Sequence, residues 1–295
     1  MELTNPADIR ALLARHDFRF SKSMGQNFLT AAWVPSDIAD ASGVDAHTGV
    51  LEVGPGIGCL TEQLAQRAAK VVSVELDERL RPVLAETLAA YPNVEIVFGD
   101  VLALDLPQLV AERFPGLRPV VCANLPYNVT TPLITAFLTA GCFDTVTVMI
   151  QREAAHRLCA RPGTADYGLL TVLTAWYAEL ELLFDVPPHC FVPAPKVNSK
   201  VIRITLWQEK PCVPRDEALL FRTVKAAFGQ RRKTLANALA TGYPELGKER
   251  VSKILADMGL AADIRGERLS IADFTALSDR IGEALSQTEG GNGHD

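Results

Sequence analysis

Short apolar, β-branched runs alternate with stretches of helical periodicity over the first two-thirds of the chain. The runs occupy 50–53, 71–75, 94–98, 120–123 and 146–150, and helical patterning follows four of them, over 60–69, 79–90, 131–140 and 151–160. Strands spaced by helices predict right-handed βαβ units and a parallel sheet, hence an α/β fold. A helix over 169–178 then leads to two more runs, 180–186 and 201–206, placed to pair as a hairpin on the same sheet.

The pattern changes after 206. Residues 207–216, WQEKPCVPRD, carry two prolines and four charged residues and read as a linker. Beyond it only helices are predicted, over 216–240, 247–258 and 270–285. Leu220, Val224, Ala227 and Phe228 share one side of the first, at i, i+4, i+7 and i+8. This predicts a Rossmann-like domain over 30–207, a small all-helical domain over 208–286 and a polar, Gly-rich, disordered tail over 287–295.

Composition narrows the function classes. With 295 residues, 48% of them hydrophobic and 22% charged, the chain builds a substantial core and is not disordered. Six cysteines, at 59, 122, 142, 159, 190 and 212, form no CxxC pair. That argues against a disulfide framework and for a reducing, cytoplasmic setting. His156 and Cys159 have ligand-like spacing, but no second pair completes a site, so no metal is expected. The N-terminus has no apolar signal core. The stretch 119–143 is 25 residues without a charge, yet Pro119, Pro126 and Pro132 rule out an unbroken lipid-facing helix. It predicts a buried strand, a loop and a buried helix, and a protein without a membrane partner.

The chemistry begins with LEVGPGIG, 51–58, between a predicted strand and helix. Gly54, Gly56 and Gly58 permit positive φ and close approach of backbone to a ligand. The spacing is GxGxG, and Glu52 precedes the first glycine by two residues. A carboxylate there suits a cationic ligand better than a pyrophosphate, and S-adenosylmethionine, with an ammonium and a sulfonium, fits. Glu75 ends the next strand, where an acid accepts from ribose hydroxyls, and Asp100 follows the third, placed for an adenine amino group.

Asn124-Leu125-Pro126-Tyr127 follows the fourth strand. Adenine N6 is a poor nucleophile because its lone pair is delocalised into the ring. Hydrogen bonds from that amine to the Asn124 side-chain oxygen and the Leu125 carbonyl localise the pair on nitrogen. Pro126 fixes the turn, and Tyr127 offers a face for the base. Orientation and electrostatics then suffice for in-line methyl transfer without a strong base. Phe191, in the Pro-rich FVPAPKVNSKV, offers a second aromatic face for an extruded base. Taken alone, the four residues also describe a turn ending a strand, and Phe191 a core residue.

These landmarks, with SKSMGQNFL (21–29), VELDERL (74–80), GD (99–100) and AFGQRRKTLANAL (227–239), resemble the KsgA-type family of ribosomal RNA adenine N6,N6-dimethyltransferases over nearly the whole chain. The resemblance implies a class I S-adenosylmethionine-dependent methyltransferase sheet and an N-terminal segment, 1–29, that closes over the cofactor site. By that similarity Asn27 and Leu29 join Gly54, Gly56, Glu75, Asp100 and Asn124 around the cofactor. The family methylates two adjacent adenosines in a stem-loop near the 3′ end of 16S rRNA, each twice, within the immature 30S subunit, and takes part in its assembly. NLPY is shared with resistance methylases of large-subunit RNA, so that substrate is an alternative; an assembly factor without essential catalysis is another. Asn198 and Gly229 depart from the family pattern, and Gly229 weakens a helix.

Net charge is −6, from 29 Lys and Arg against 35 Asp and Glu, which at first argues against a nucleic-acid partner. The distribution reverses that inference. Residues 186–235 hold ten Lys and Arg against three Asp and Glu, a local +7. On a helical wheel Arg222, Lys225, Arg232 and Lys233 lie opposite the apolar side, while Arg231 does not; Lys22, Lys196 and Lys200 extend the basic patch. No seam suggests a dimer, so a monomer is expected.

Overall fold

The computed structural model describes residues 1–18 and 26–291. Helix α1 (Pro6–Arg15) starts at Asn5, whose side chain accepts from the N–H groups of Ala7 and Asp8, and the short strand β1 (Phe28–Leu29) and helix α2 (Trp33–Ala41) precede the sheet. Strands β2 (Thr48–Val53), β3 (Lys70–Glu75), β4 (Val94–Phe98), β5 (Arg118–Asn124) and β6 (Thr145–Gln151) run parallel. Helices α3 (Cys59–Ala65), α4 (Arg81–Thr87), α5 (Leu106–Arg113) and α6 (Thr130–Ala140) connect them. The charge-free stretch resolves as expected into a strand, a loop and a helix. No helix among the described residues is long and apolar enough to cross a membrane.

After α7 (Arg152–Leu158) and α8 (Leu169–Tyr177) come β7 (Ala178–Val186), the two-residue β8 (Phe191–Val192) and β9 (Ser199–Leu206). The sheet order is β4-β3-β2-β5-β6-β9-β7, with β9 antiparallel to both neighbours, so the hairpin expected from 180–186 and 201–206 forms with its second strand inside. Val50, Leu51, Val71, Val72, Val120 and Val121 are fully buried, as parallel strands covered on both faces must be. From β2 the chain steps outward through β3 and β4, then returns to β5 on the other side. That reversal is the topological switch point where α/β sheets bind ligands.

The chain divides into two compact units, 1–156 with 178–206, and 157–177 with 207–295. The second unit therefore takes in a segment that the sequence pattern assigned to the first. Tyr167, Val172 and Trp176 are the reason, because they share its core with Leu220, Leu235, Tyr243 and Phe274. The helix expected over 216–240 is two, α9 (Glu217–Gly229) and α10 (Leu235–Gly242). Thr234 caps α10, and the Leu235 N–H donates to the Ile264 carbonyl at 2.7 Å, drawing the chain away from a continuous helix. Helix α11 (Gly247–Asp257) precedes α12 (Ile271–Gly291), which runs into the tail expected to be disordered. Arg250 explains the extension, donating to Thr288 and Gln287. Residues 292–295 lie outside the described residues.

Candidate active site

The carboxyl ends of β4, β3, β2 and β5 bring Asp100, Glu75, the glycine loop and Asn124 side by side, in that order across the sheet. Together with Gln26, Asn27, Phe28 and Leu29 they line one cavity of about 220 Å³. Six of the seven positions expected around a cofactor are thus joined to the seventh, Asn124, in one wall.

The glycine loop is shaped by backbone that only glycine adopts freely. Gly54 and Gly56 have φ of +70° and +62°, and a Cβ on Gly56 would sit 3.2 Å from the Phe28 ring. Glu75 holds the loop: one carboxylate oxygen accepts the Gly56 N–H at 3.3 Å, the other the Asp77 N–H at 2.8 Å. Burial pushes the Glu75 carboxyl above its ordinary value, and the two N–H bonds oppose that shift. Asp77 accepts from Gln26 at 2.8 Å and from Arg79, which lowers its pKa and ties the N-terminal strand to the end of β3. Asp100 is exposed, with one oxygen on the Leu102 N–H at 2.9 Å.

Glu52 differs from its expected role as a counter-charge. It lies in the cavity wall but is 1% exposed, and its Oε2 accepts hydroxyl hydrogens from Thr61 at 2.7 Å and Ser73 at 2.6 Å. Burial pushes its pKa up to about 7, so it is only partly ionised near neutrality.

Asn124 ends β5, and the turn that follows it is held from several sides. The Leu125 N–H donates to the Met149 carbonyl at 3.1 Å, and the Thr130 hydroxyl to the Pro126 carbonyl at 3.1 Å. The Tyr127 hydroxyl lies 2.6 Å from Ser199 Oγ. The Asn124 side chain lines the cavity and has no hydrogen-bond partner among the described residues.

Phe191 is placed otherwise than its expected stacking role requires. It is 2% exposed in the core of its unit and is not among the cavity's lining residues. The register explains why: Leu29 pairs with Phe191 and Phe28 with Val192 across β1 and β8, and Phe28 is the second aromatic of the wall beside Tyr127. Sequence reasoning also passed over Leu76 and Leu102, which line the cavity and are 58% and 42% exposed. Their signal was available, since each follows an acid at a strand end by one or two residues.

The basic run is mostly engaged by the protein itself. Lys200 pairs with Asp185 at 3.1 Å and Lys210 with Glu217 at 3.1 Å; Arg203 pairs with Glu181 and Arg215 with Glu283. Arg222 pairs with Glu245 at 2.7 Å, donates to the Gly242 carbonyl and lies over the Tyr243 ring. Arg231 donates to the Ala165 and Tyr167 carbonyls. Lys196, Lys225, Arg232 and Lys233 remain exposed, with no partner among the described residues. Lys22 lies outside the described residues.

The chain matches the family model described as ribosomal RNA adenine dimethylase over residues 17–281. It is 45% identical over 284 residues to the ribosomal RNA small subunit methyltransferase A of Geobacillus thermodenitrificans, covering 95% of this chain and 97% of that one. Identity to the protein of the same name from Alkaliphilus oremlandii is 44%, covering 96% and 99%. Among solved structures, a dimethyladenosine transferase from Plasmodium falciparum superposes with a TM-score of 0.72 at 23% identity, covering 87% of this chain and 98% of that one. The 23S rRNA methyltransferase ErmE gives 0.66 at 29% identity, covering 87% and 100%. The chain belongs to the ribosomal RNA adenine dimethylase family.

Proposed function

We propose that the protein transfers methyl groups from S-adenosylmethionine to N6 of two adjacent adenosines near the 3′ end of 16S rRNA, giving N6,N6-dimethyladenosine. The observation that carries this reading is the Asn124 amide, left without a protein partner in the cavity wall while the neighbouring Leu125 N–H is tied to Met149. The amide is half-buried and lines the cavity, so its oxygen is open to a ligand's donor there. The amine of adenine has the two hydrogens that the Asn124 Oδ1 and the Leu125 carbonyl can accept.

The cavity fits the methyl donor. Glu75 is fixed by the Gly56 and Asp77 N–H groups and has lone pairs left for ribose hydroxyls. Leu76 and Leu102 expose apolar side chains on which a purine can lie, beside Asp100. When bound, S-adenosylmethionine supplies a methyl group on a sulfonium, electrophilic enough to need no strong base. The residues of the chain orient: Asn124 and Leu125 aim the nitrogen lone pair, Tyr127 stacks the base, and Pro126 holds both in register.

A loop adenosine is cheaper to extrude than a paired one, which suits a stem-loop substrate. Lys196, Lys225, Arg232 and Lys233, free of ion pairs, serve RNA phosphates. The substrate is RNA within the immature 30S subunit, and the protein acts as a cytoplasmic monomer that contributes to subunit assembly. Incubation with labelled donor and under-methylated 30S subunits tests this, with N6,N6-dimethyladenosine read by mass spectrometry. Incorporation into free large-subunit RNA instead would assign the resistance-type reaction. Donor binding without incorporation into either would leave only an assembly role.

A further inference from the structure

Tyr127 and Ser199 are 72 residues apart in sequence, yet their hydroxyl oxygens are 2.6 Å apart. Ser199 is fully buried and is the first residue of β9, paired with Gln151 of β6 on one side and Val186 of β7 on the other. Its Oγ is therefore fixed by three strands. The other ties on the NLPY turn, from Leu125, Val129 and Thr130, hold backbone; among the described residues the tie to Ser199 alone holds the aromatic side chain by a hydrogen bond. A phenylalanine would offer the same stacking face. The hydroxyl adds an anchor, and burial raises its pKa, so it stays protonated at neutral pH.

We propose that Ser199 is a positioning residue that fixes the Tyr127 ring as the platform for the target adenine, and that its effect falls mainly on the second methyl transfer to the same nitrogen. This rests on the reading that N6 faces Asn124 and Leu125. In each transfer the nitrogen gains a carbon bond as the methyl–sulfur bond breaks, its electron pair staying on sulfur, and one N–H proton passes to solvent. Before the first transfer the amine has two hydrogens, one for each acceptor. Afterwards it has one, so one of the two hydrogen bonds that oriented it is gone. The second transfer then depends more on the stacked ring to aim the lone pair, and a ring free to swing costs it more.

Ser199→Ala, Tyr127→Phe and the double variant test this on 30S subunits, with N6-methyladenosine and N6,N6-dimethyladenosine followed separately through a single time course. Each single variant is expected to slow the second transfer about tenfold and the first about threefold or less, so that monomethyl product accumulates. The double variant is expected to match the singles, because both remove the same bond. A cofactor-free readout accompanies it: 2-aminopurine at the target position of a stem-loop RNA is quenched by the wild type and severalfold brighter in the variants. Equal slowing of both transfers, additive losses in the double variant, or unchanged fluorescence would each overturn the proposal. Tyr127→Phe deletes one oxygen and decides the matter alone should Ser199→Ala fail to fold. Full turnover by Asn124→Ala would instead sink the underlying placement of N6, a different outcome from any of these.

Discussion

The strand-end row and the basic run were both singled out by residue type, and the fold treats them in opposite ways. At the strand ends, Asn124 keeps an unpartnered amide, Asp100 stays exposed, and Glu75 is fixed by backbone rather than neutralised by a cation. In the basic run, five of ten cations form ion pairs and Arg231 lies on two carbonyls. A motif at a strand end is constrained by what must bind there. A charge count is not, because any nearby carboxylate or carbonyl can claim a cation.

The largest effect that would test the first half of this contrast is Asn124→Ala. Losing an acceptor aimed at the reacting amine is expected to lower turnover about a thousandfold. Donor affinity should change little in equilibrium titration, since the contacts offered by Glu75, Asp100 and the glycine loop remain. Turnover within tenfold of the wild type would mean that the unpartnered amide has another purpose.

Glu52 breaks the contrast from inside the site, because the fold supplies it with two hydroxyl partners. Its carboxyl is raised from 4.5 to about 7 chiefly by burial, so the folded state holds a proton that the unfolded state releases. The associated stability is full below about 4.5 and falls as pH rises to about 7, by at most about 3 kcal/mol. Glu52→Gln keeps an acceptor for Thr61 and Ser73 and removes the ionisation. Denaturation midpoints at pH 5 and pH 8 should converge in the variant and diverge in the wild type. Parallel pH profiles would show that Glu52 is ionised in the fold after all.

On the cationic side, the Arg232→Ala, Lys233→Ala pair is expected to weaken RNA binding about ten- to thirtyfold and to lower the slope of log affinity against log salt by about 1.4. Arg222→Ala and Arg231→Ala should do the reverse: lose thermal stability, because the bonds to the Gly242, Ala165 and Tyr167 carbonyls and the Glu245 ion pair are lost, while the salt slope stays. Equal slopes in all three variants would mean that partnered and free cations meet RNA alike, and the contrast would fail.

The same division decides how much was legible in the sequence. The alternation of strands and helices over 50–206 was, α5 and β8 excepted, since apolar runs between helices allow few topologies, and so were Gly54, Glu75, Asp100 and Asn124, which need only end successive strands. What escaped depends on contacts distant in sequence. Residues 157–177 join the second unit through Trp176, whose pattern alone fits either core. Phe191 faces the core because β8 pairs with β1, two strands of two residues each, too short to leave a periodicity. The break between α9 and α10 follows from the Ile264 carbonyl, about thirty residues downstream. Thr288 is drawn into α12 by Arg250 in the same way.

The smallest expected effect concerns Gly229, where composition suggested a weak helix carrying the basic run. It is the last residue of α9, is exposed, and has no positive φ. A Cβ built there meets nothing within 4 Å. No contact, turn or close approach therefore requires a glycine, and its helical backbone costs conformational entropy that alanine would not. Gly229→Ala is expected to stabilise the fold by about 0.5–1 kcal/mol, read as a higher denaturant midpoint with unchanged slope. RNA affinity should not move, because Arg232 and Lys233 stand beyond the end of α9, in backbone that its helicity does not set. A gain in affinity alongside the gain in stability would mean that the free cations are ordered by the helix before them. They would then belong with Arg222 and Arg231, whose positions the fold dictates, rather than with the side chains it leaves open.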